Sequence, residues 1–178
     1  VNSTSETPQK LPVDIMHIID ISGSMADENK LSDAKDAATT FNGFLDKSVD
    51  NVGVVPYSTT ASVIESLGSE SEDSAIKNLI PTATEDTDIG DAIVCANNEI
   101  VDPANSRLTG SIRVILLLTD GRANRPYGLP GGYYECPADV EYAIDKAWEA
   151  AYNDTIIFTI GLGPDVNETL LQHIADIT

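Results

Sequence analysis

The chain contains 178 residues, and its 29 acidic against 10 basic residues give a formal net charge of −19. Hydrophobic residues make up 42% of the chain, which excludes disordered and collagen-like classes and suffices for one globular domain with its own core. The longest aliphatic run covers only residues 114–118, whereas a bilayer span needs roughly 20 apolar residues, so no membrane insertion is expected. The negative charge repels nucleic acid phosphates and argues against nucleic-acid binding. It is compatible with a well-solvated surface, with cation binding and with a salt-rich habitat.

The N-terminal segment, residues 1–12, is polar and includes Pro8 and Pro12, which indicates an arm or linker. It has neither the basic start nor the apolar core of a signal peptide, so we expect any secretion signal to have been removed. Residues 13–178 are predicted to form one domain, since no repeat or further boundary is visible.

Strands and helices alternate along this domain. Residues 13–20 and 112–119 are aliphatic on both parities, as in strands that are covered on both faces. Residues 52–57 and 61–67 suit a β-hairpin. Helical periodicity and one further strand complete the pattern, with helices near 31–45, 75–80, 89–100, 140–151 and 166–174 and a strand at 155–160. This order predicts an α/β fold with a doubly wound, mostly parallel sheet that carries one antiparallel edge strand.

Hard oxygen donors follow the two buried strands and precede the third helix. The donors are two carboxylates and three hydroxyls, from Asp20, Ser22, Ser24, Thr87 and Asp120. Because the carboxyl ends of parallel strands meet at one edge of the sheet, these groups are expected to converge there. Such a set suits Mg²⁺, which prefers octahedral oxygen coordination. Taken singly, each segment is equally compatible with a helix cap or a turn.

Taken together, these segments resemble the von Willebrand factor type A domain and its metal-ion-dependent adhesion site. The family's Asp-x-Ser-x-Ser motif is matched by Asp20, Ser22 and Ser24, its separate threonine by Thr87 in Thr-Asp-Ile-Gly, and its second aspartate by Asp120 in Leu-Leu-Thr-Asp-Gly. Segments 52–58 and 158–163 also look like the family's second and fifth strands, and the resemblance covers roughly residues 13–177.

The resemblance implies a Rossmann-like fold and an extracellular or cell-surface binding module rather than an enzyme. It implies that Ser22, Ser24 and Thr87 bind Mg²⁺, or Mn²⁺ or Ca²⁺ in its place, while Asp20 and Asp120 act largely through bound waters. A cation with mainly neutral direct ligands stays electron-poor, so it attracts an Asp or Glu side chain from a protein partner.

Further expectations follow from the same resemblance. Asp27 and Glu28 match the offset at which integrin β-subunit domains place acidic residues for an adjacent cation, although a solvated loop is the simpler alternative.

Cys95 and Cys136 fit no zinc or redox spacing, and alone they indicate either a pair or two inert thiols. The family fold makes them neighbours, which predicts a disulfide and a location outside the cytosol. The family normally adds a sixth strand and a final helix, which we expect this chain to lack.

The loop at residues 121–137 carries Arg122 and Arg125 and should overhang the metal in a fold of this family. We expect both arginines to help bind the partner's carboxylate, because guanidinium groups pair well with carboxylates. An unspecific surface loop is the alternative.

Two other functions compete with adhesion. A Mg²⁺-dependent phosphoryl-transfer hydrolase could use Asp20 and Asp120, but Ser22 stands where a second carboxylate would be needed and no lysine accompanies the motifs. His17 lies in mid-strand and His173 on the last helix, so both are expected to be core or surface residues, and the hydrolase motif Gly-x-Ser-x-Gly is absent. The third function is a scaffold whose metal site is purely structural.

Overall fold

Four parallel strands form the centre of the structure, a computed structural model that describes residues 10–84, 86–105, 107, 110–128 and 134–178. The strands are β1 (Val13–Asp20), β2 (Asn51–Tyr57), β3 (Ile112–Thr119) and β4 (Thr155–Gly161). They lie side by side in the order β2-β1-β3-β4. The chain therefore crosses over the sheet between successive strands, as parallel pairing requires.

Five α-helices make these crossovers and continue to the end of the described chain: α1 (Lys30–Asn42), α2 (Glu72–Lys77), α3 (Ile89–Val101), α4 (Pro137–Tyr152) and α5 (Glu168–Ile177). A 3₁₀ segment, Gly23–Asn29, connects β1 to α1. The predicted α/β class with a doubly wound sheet is confirmed. Helix α1 ends earlier than its periodicity predicts, where Gly43 follows Asn42. No helix among the described residues is long and apolar enough to cross a membrane.

The sheet separates two hydrophobic clusters. One cluster contains Met16 and Ile18 of β1 together with the buried faces of α3, α4 and α5. The other contains Ile19 of β1 and Leu118 of β3 together with the buried faces of α1 and α2. Because both faces of the central strands are covered, residues of both parities are apolar, which is the pattern that the sequence shows.

The predicted antiparallel edge strand is wrong as a regular strand. Within the described chain, residues 61–67 contact β2 through isolated antiparallel bridges only. In one bridge, the Val54 N–H donates to the Glu65 carbonyl oxygen and the Val54 carbonyl accepts from the Ile64 N–H, both at 2.9 Å. The backbone nitrogen of Pro56, two residues after Val54, points to the same edge of β2. Proline has no N–H to donate there, so the antiparallel hydrogen bonds between β2 and residues 61–67 are interrupted. The described sheet is therefore entirely parallel.

The predicted N-terminal arm contacts the domain at its described end. The Pro12 carbonyl accepts a hydrogen bond from the Ile112 N–H at 2.9 Å, and the Lys10 ammonium lies 3.4 Å from a carboxylate oxygen of Asp50. Residues 1–9 lie outside the described residues, so the division of the chain at residue 12 stays a prediction.

Replacing Gly53 by alanine tests the packing of β2 against this edge segment. An added Cβ would overlap the Met16 sulfur and lie 2.9 Å from the Glu65 carbonyl oxygen. We expect Gly53→Ala to lower the free energy of unfolding by about 1–3 kcal/mol, the usual cost of overpacking a core. Urea denaturation measures this change. The exposed Ser62→Ala in the same segment is the control and should stay within about 0.5 kcal/mol of the parent; equal stability of both variants would contradict the packing described.

Candidate metal centre

The carboxyl ends of β1 and β3 bring two aspartates together. Asp20 is the last residue of β1, and Asp120 directly follows β3, its parallel neighbour in the sheet. Thr87 lies just before helix α3. All three residues are almost fully buried, with 0%, 1% and 2% of their surfaces exposed. The structure therefore brings Asp20 and Asp120 together at one sheet edge, and the binding of a metal by this set of residues stays a prediction.

Asp20 is fixed by hydrogen bonds to both of its carboxylate oxygens. The Ser22 N–H donates to Oδ1 at 2.8 Å, and the Thr119 hydroxyl donates to Oδ2 at 2.7 Å. Burial raises the pKa of Asp20 to about 6, and the charge of Asp120 adds to this effect, while these hydrogen bonds oppose it. The hydrogen bonds therefore fix the position of the Asp20 carboxylate, but water does not solvate its charge.

The two motif serines connect Asp20 with Asp120. The Ser22 and Ser24 hydroxyl oxygens are 3.2 Å apart, and the Ser24 hydroxyl donates to Oδ1 of Asp120 at 2.9 Å. Their hydroxyl groups thus lie between the two carboxylates, in the loop that leaves β1.

Thr87 is positioned by the loop that follows β3. Its N–H donates to Oδ1 of Asn124 at 2.7 Å, and its carbonyl accepts from the Asn124 N–H at 3.2 Å. A Cβ on Gly121 would lie 3.0 Å from the Thr87 hydroxyl oxygen, so glycine at this position allows the hydroxyl to approach the backbone next to Asp120. The three-part motif therefore forms one cluster.

Lys30 also belongs to this cluster. Its ammonium nitrogen lies 2.8 Å from Oδ2 of Asp120, and only 11% of its side chain is exposed. The expectation that no lysine accompanies the motifs is wrong for the folded chain. Helix α1 begins at Lys30, and this lysine contacts Asp120. The signal in the sequence was a lysine at the start of the helix that follows the motif loop.

The donor set fits a hard divalent cation. Nowhere in the described part of the chain do three or more His, Cys, Asp or Glu side chains form a metal site, so a cation here depends on hydroxyl and carboxylate oxygens together. The buried Tyr57 hydroxyl lies beside these carboxylates and makes no hydrogen bond of good geometry among the described residues. Its pKa is raised well above the ordinary value by burial and by the charge of Asp20, and the nearby Thr119 hydroxyl opposes this effect.

A cleft of about 350 Å³ opens over the cluster. Atoms of Ser24, Thr87 and Asp120 line it, together with Lys30, Arg122 and Tyr134. Tyr134 is 85% exposed. The Arg122 side chain is exposed as well and donates through Nε to the Asp165 carbonyl oxygen at 3.0 Å. The cleft therefore leads from solvent to the hydroxyls and offers a cationic side chain at its rim.

Comparison with known proteins identifies the family of this chain. The sequence profile of the von Willebrand factor type A domain matches residues 14–178. The chain belongs to this family. A comparison with curated proteins gives no match.

Several solved structures resemble this domain in fold. BatB from Bacteroides thetaiotaomicron is 22% identical with a TM-score of 0.73, over 93% of this chain and 86% of that chain. Proximal thread matrix protein 1 from the mussel byssus, solved with a zinc-occupied metal-ion-dependent adhesion site motif, is 20% identical with a TM-score of 0.73, over 93% and 42% of the two chains. Manganese-loaded TRAP from Plasmodium vivax is 18% identical with a TM-score of 0.67, over 94% and 64%. At these identities the likeness concerns the fold.

The two arginines of the long loop differ in this type A domain. Arg122 lines the cleft as expected, but Arg125 is 7% exposed. The Arg125 guanidinium pairs with Oδ1 of Asp86 at 2.9 Å and also donates to the Gly128 carbonyl. The prediction that Arg125 contacts a ligand is therefore wrong, because its charge is used inside the domain to hold the loop against the segment before Thr87.

The predicted disulfide is not formed in this structure. Cys95 and Cys136 are free thiols, and both are partly buried. Cys95 lies on α3 beside the Val63 backbone, whereas Cys136 precedes α4 and donates its N–H to the Ala123 carbonyl at 3.1 Å. The two cysteines thus have different neighbours. A disulfide therefore no longer supports the prediction that the domain lies outside the cytosol.

The remaining candidate residues, all within the described part of the chain, make no hydrogen bond to the two aspartates or to Thr87. Asp27 and Glu28 are exposed in the 3₁₀ segment, and the adjacent cation they were expected to bind stays a prediction. His17 is buried and its Nε2 lies 2.7 Å from Oδ1 of Asn42, while His173 is exposed on α5. The placement of the two histidines as core and surface residues is confirmed.

Parallel substitutions of the two arginines test their different environments. We expect Arg125→Gln to lower the free energy of unfolding by about 3–5 kcal/mol, because it removes the guanidinium from a buried ion pair with Asp86. Arg122→Gln should change it by less than about 0.5 kcal/mol, since its side chain is exposed. Chemical denaturation of both variants measures the difference. Equal losses, or a larger loss for Arg122→Gln, would show that the loop is held in another way.

Proposed function

We propose that this type A domain is a protein-binding adhesion module that captures an acidic side chain of its partner through a bound divalent cation. The observation that carries the proposal is the hydroxyl-rich cluster at the base of an open cleft, where Ser24 bonds Asp120 and lies next to Ser22. Neutral hydroxyl ligands leave a cation electron-poor and therefore attractive to a carboxylate from outside.

In this proposal the hydroxyls of Ser22, Ser24 and Thr87 hold the cation directly, and Asp20 and Asp120 act largely through bound waters. Mg²⁺ fits this oxygen set, and Mn²⁺ or Ca²⁺ could replace it. The zinc-occupied motif of the mussel protein and the manganese-loaded TRAP support a divalent cation at this place in the fold. When bound, the cation supplies the positive charge that the partner's carboxylate recognises.

The charge of the whole molecule makes local positive charge necessary. At a net charge of −19, an acidic partner is repelled at long range. The cation and Arg122 at the cleft rim offset this repulsion where contact is made. We place the domain outside the cell or at the cell surface, where an adhesion module meets its partners.

Binding is favoured over hydrolysis, although Lys30 removes one of the arguments against a hydrolase. Ser22 still occupies the position of the second carboxylate that phosphoryl transfer would use. The buried His17 is bonded to Asn42, and the exposed His173 lies on α5, so neither is a general base for this cluster. A purely structural metal site remains the alternative that the ligand experiment below separates.

Cation binding is tested first by calorimetry with MgCl₂ and MnCl₂. We expect one cation per chain, and we expect Thr87→Ala and Asp120→Asn each to weaken binding by about tenfold or more, because each removes a proposed ligand or water-holding group. The exposed Asp36→Asn on α1 removes the same charge away from the cluster and should leave affinity unchanged. Unchanged affinity in Thr87→Ala and Asp120→Asn would refute the assignment, and two cations per chain would point to the Asp27 and Glu28 site.

Binding of an acidic ligand is tested with short immobilised peptides in which a single Asp or Glu is the only charged residue. The controls are the same peptides with Asn or Gln in its place. We expect the acidic peptides alone to bind in MnCl₂, and EDTA to abolish binding. Arg122→Gln should weaken binding about threefold to tenfold without changing cation uptake, whereas Lys77→Gln, an exposed charge on α2, should have no effect. If the loaded domain retains acidic and amide peptides equally, the site is structural and the adhesion proposal fails.

A further inference from the structure

Both carboxylate oxygens of Asp120 already have partners in this structure. Oδ1 accepts from the Ser24 hydroxyl at 2.9 Å, and Oδ2 accepts from the Lys30 ammonium at 2.8 Å. The Asp120 side chain is fully buried, and only 11% of the Lys30 side chain is exposed. This is therefore a charge-assisted hydrogen bond with a carboxylate that is shielded from water, so removing the ammonium would leave a buried charge without compensation.

The end of the Lys30 side chain approaches the loop that follows β4. A Cβ on Gly163 would lie 3.2 Å from Cε of Lys30, and Gly163 has a φ of +83°, which favours glycine. The lysine stem thus packs against the loop between β4 and α5. The charges of Asp165 in that loop and of Glu28 in the 3₁₀ segment also act on the ammonium. Lys30 consequently has other carboxylates within electrostatic reach besides Asp120.

We propose that Lys30 is a built-in counter-ion that competes with the divalent cation for Asp120. The inference rests on the proposed metal site and adds a residue that sets its affinity. In the absence of the cation, the ammonium neutralises one of two buried carboxylates and limits the repulsion between Asp20 and Asp120. Cation binding then has to weaken or replace the ion pair between Lys30 and Asp120, with Asp165 and Glu28 as alternative partners for the ammonium.

This competition raises the cation concentration at which the site is half-filled. A lysine beside Asp120 lowers affinity for every cation that uses this carboxylate, because its positive charge repels the ion and its hydrogen bond has to be exchanged. The domain would therefore stay unloaded where divalent ions are scarce and become able to bind its ligand where they are abundant. Affinity for the cation, rather than the presence of the site, is the property that Lys30 controls.

The experiment measures Mg²⁺ and Mn²⁺ affinity by calorimetry for the full chain and for Lys30→Met, which keeps the packing of the stem against Gly163 and removes the charge. We expect Lys30→Met to bind both cations about tenfold or more tightly. It should also melt at a lower temperature than the parent in EDTA and gain more thermal stability on adding MnCl₂. Lys30→Gln repeats the measurement with a polar side chain, and Lys30→Arg keeps the charge and should stay close to the parent.

The direction of the change separates competition from a structural role. If Lys30 only supported the fold, removing its charge would weaken cation binding or leave it unchanged, and either result in both Lys30→Met and Lys30→Gln would overturn the inference. Tighter binding by Lys30→Arg as well would overturn the electrostatic explanation. Failure of the parent and of all three variants to bind either cation would overturn the metal site itself, and the role of Lys30 with it.

Discussion

Two carboxylates buried next to each other at the carboxyl edge of a parallel sheet are the constraint on which the rest of this site depends. Asp20 and Asp120 are almost inaccessible to water, and a buried charge is costly unless it is paired and hydrogen-bonded. The surrounding hydroxyls and N–H groups satisfy individual oxygen atoms, and Lys30 supplies a single positive charge. The pKa of Asp20, raised to about 6 chiefly by burial, indicates that this compensation is incomplete. In the function proposed above, a divalent cation completes it.

The same constraint explains how the neighbouring segments are arranged. The loop after β3 positions Thr87 through Asn124, and Arg125 secures that loop through Asp86 instead of reaching out to a ligand. Arg125 is therefore paired inside the domain, whereas Arg122 lines the cleft. The part of the loop around Arg125 is therefore packed inside the domain, and the part around Arg122 is open to solvent. The two arginines are only three residues apart in the sequence.

The sequence predicts the fold and the main cluster because both depend on local patterns. Aliphatic residues on both parities mark β1 and β3, and the ordered aspartate, serine and threonine motifs lie at strand and helix ends, where a parallel sheet brings them together. What it does not predict depends on long-range contacts. The pairing of Lys30 with Asp120 spans 90 residues, and the burial of Arg125 depends on Asp86 in a distant segment. The edge strand is interrupted because the backbone nitrogen of Pro56 points toward residues 61–67. The hydrophobic alternation of residues 61–67 contains no information about the orientation of Pro56.

The most direct test of this account is a crystal structure of the chain grown in MnCl₂, with anomalous diffraction data to locate manganese. We expect one anomalous peak among the hydroxyl oxygens of Ser22, Ser24 and Thr87, and a distance between the Lys30 ammonium and Asp120 that is longer than the present 2.8 Å. A structure at saturating MnCl₂ with no peak in this cluster, and with Lys30 still bonded to Asp120, would contradict it.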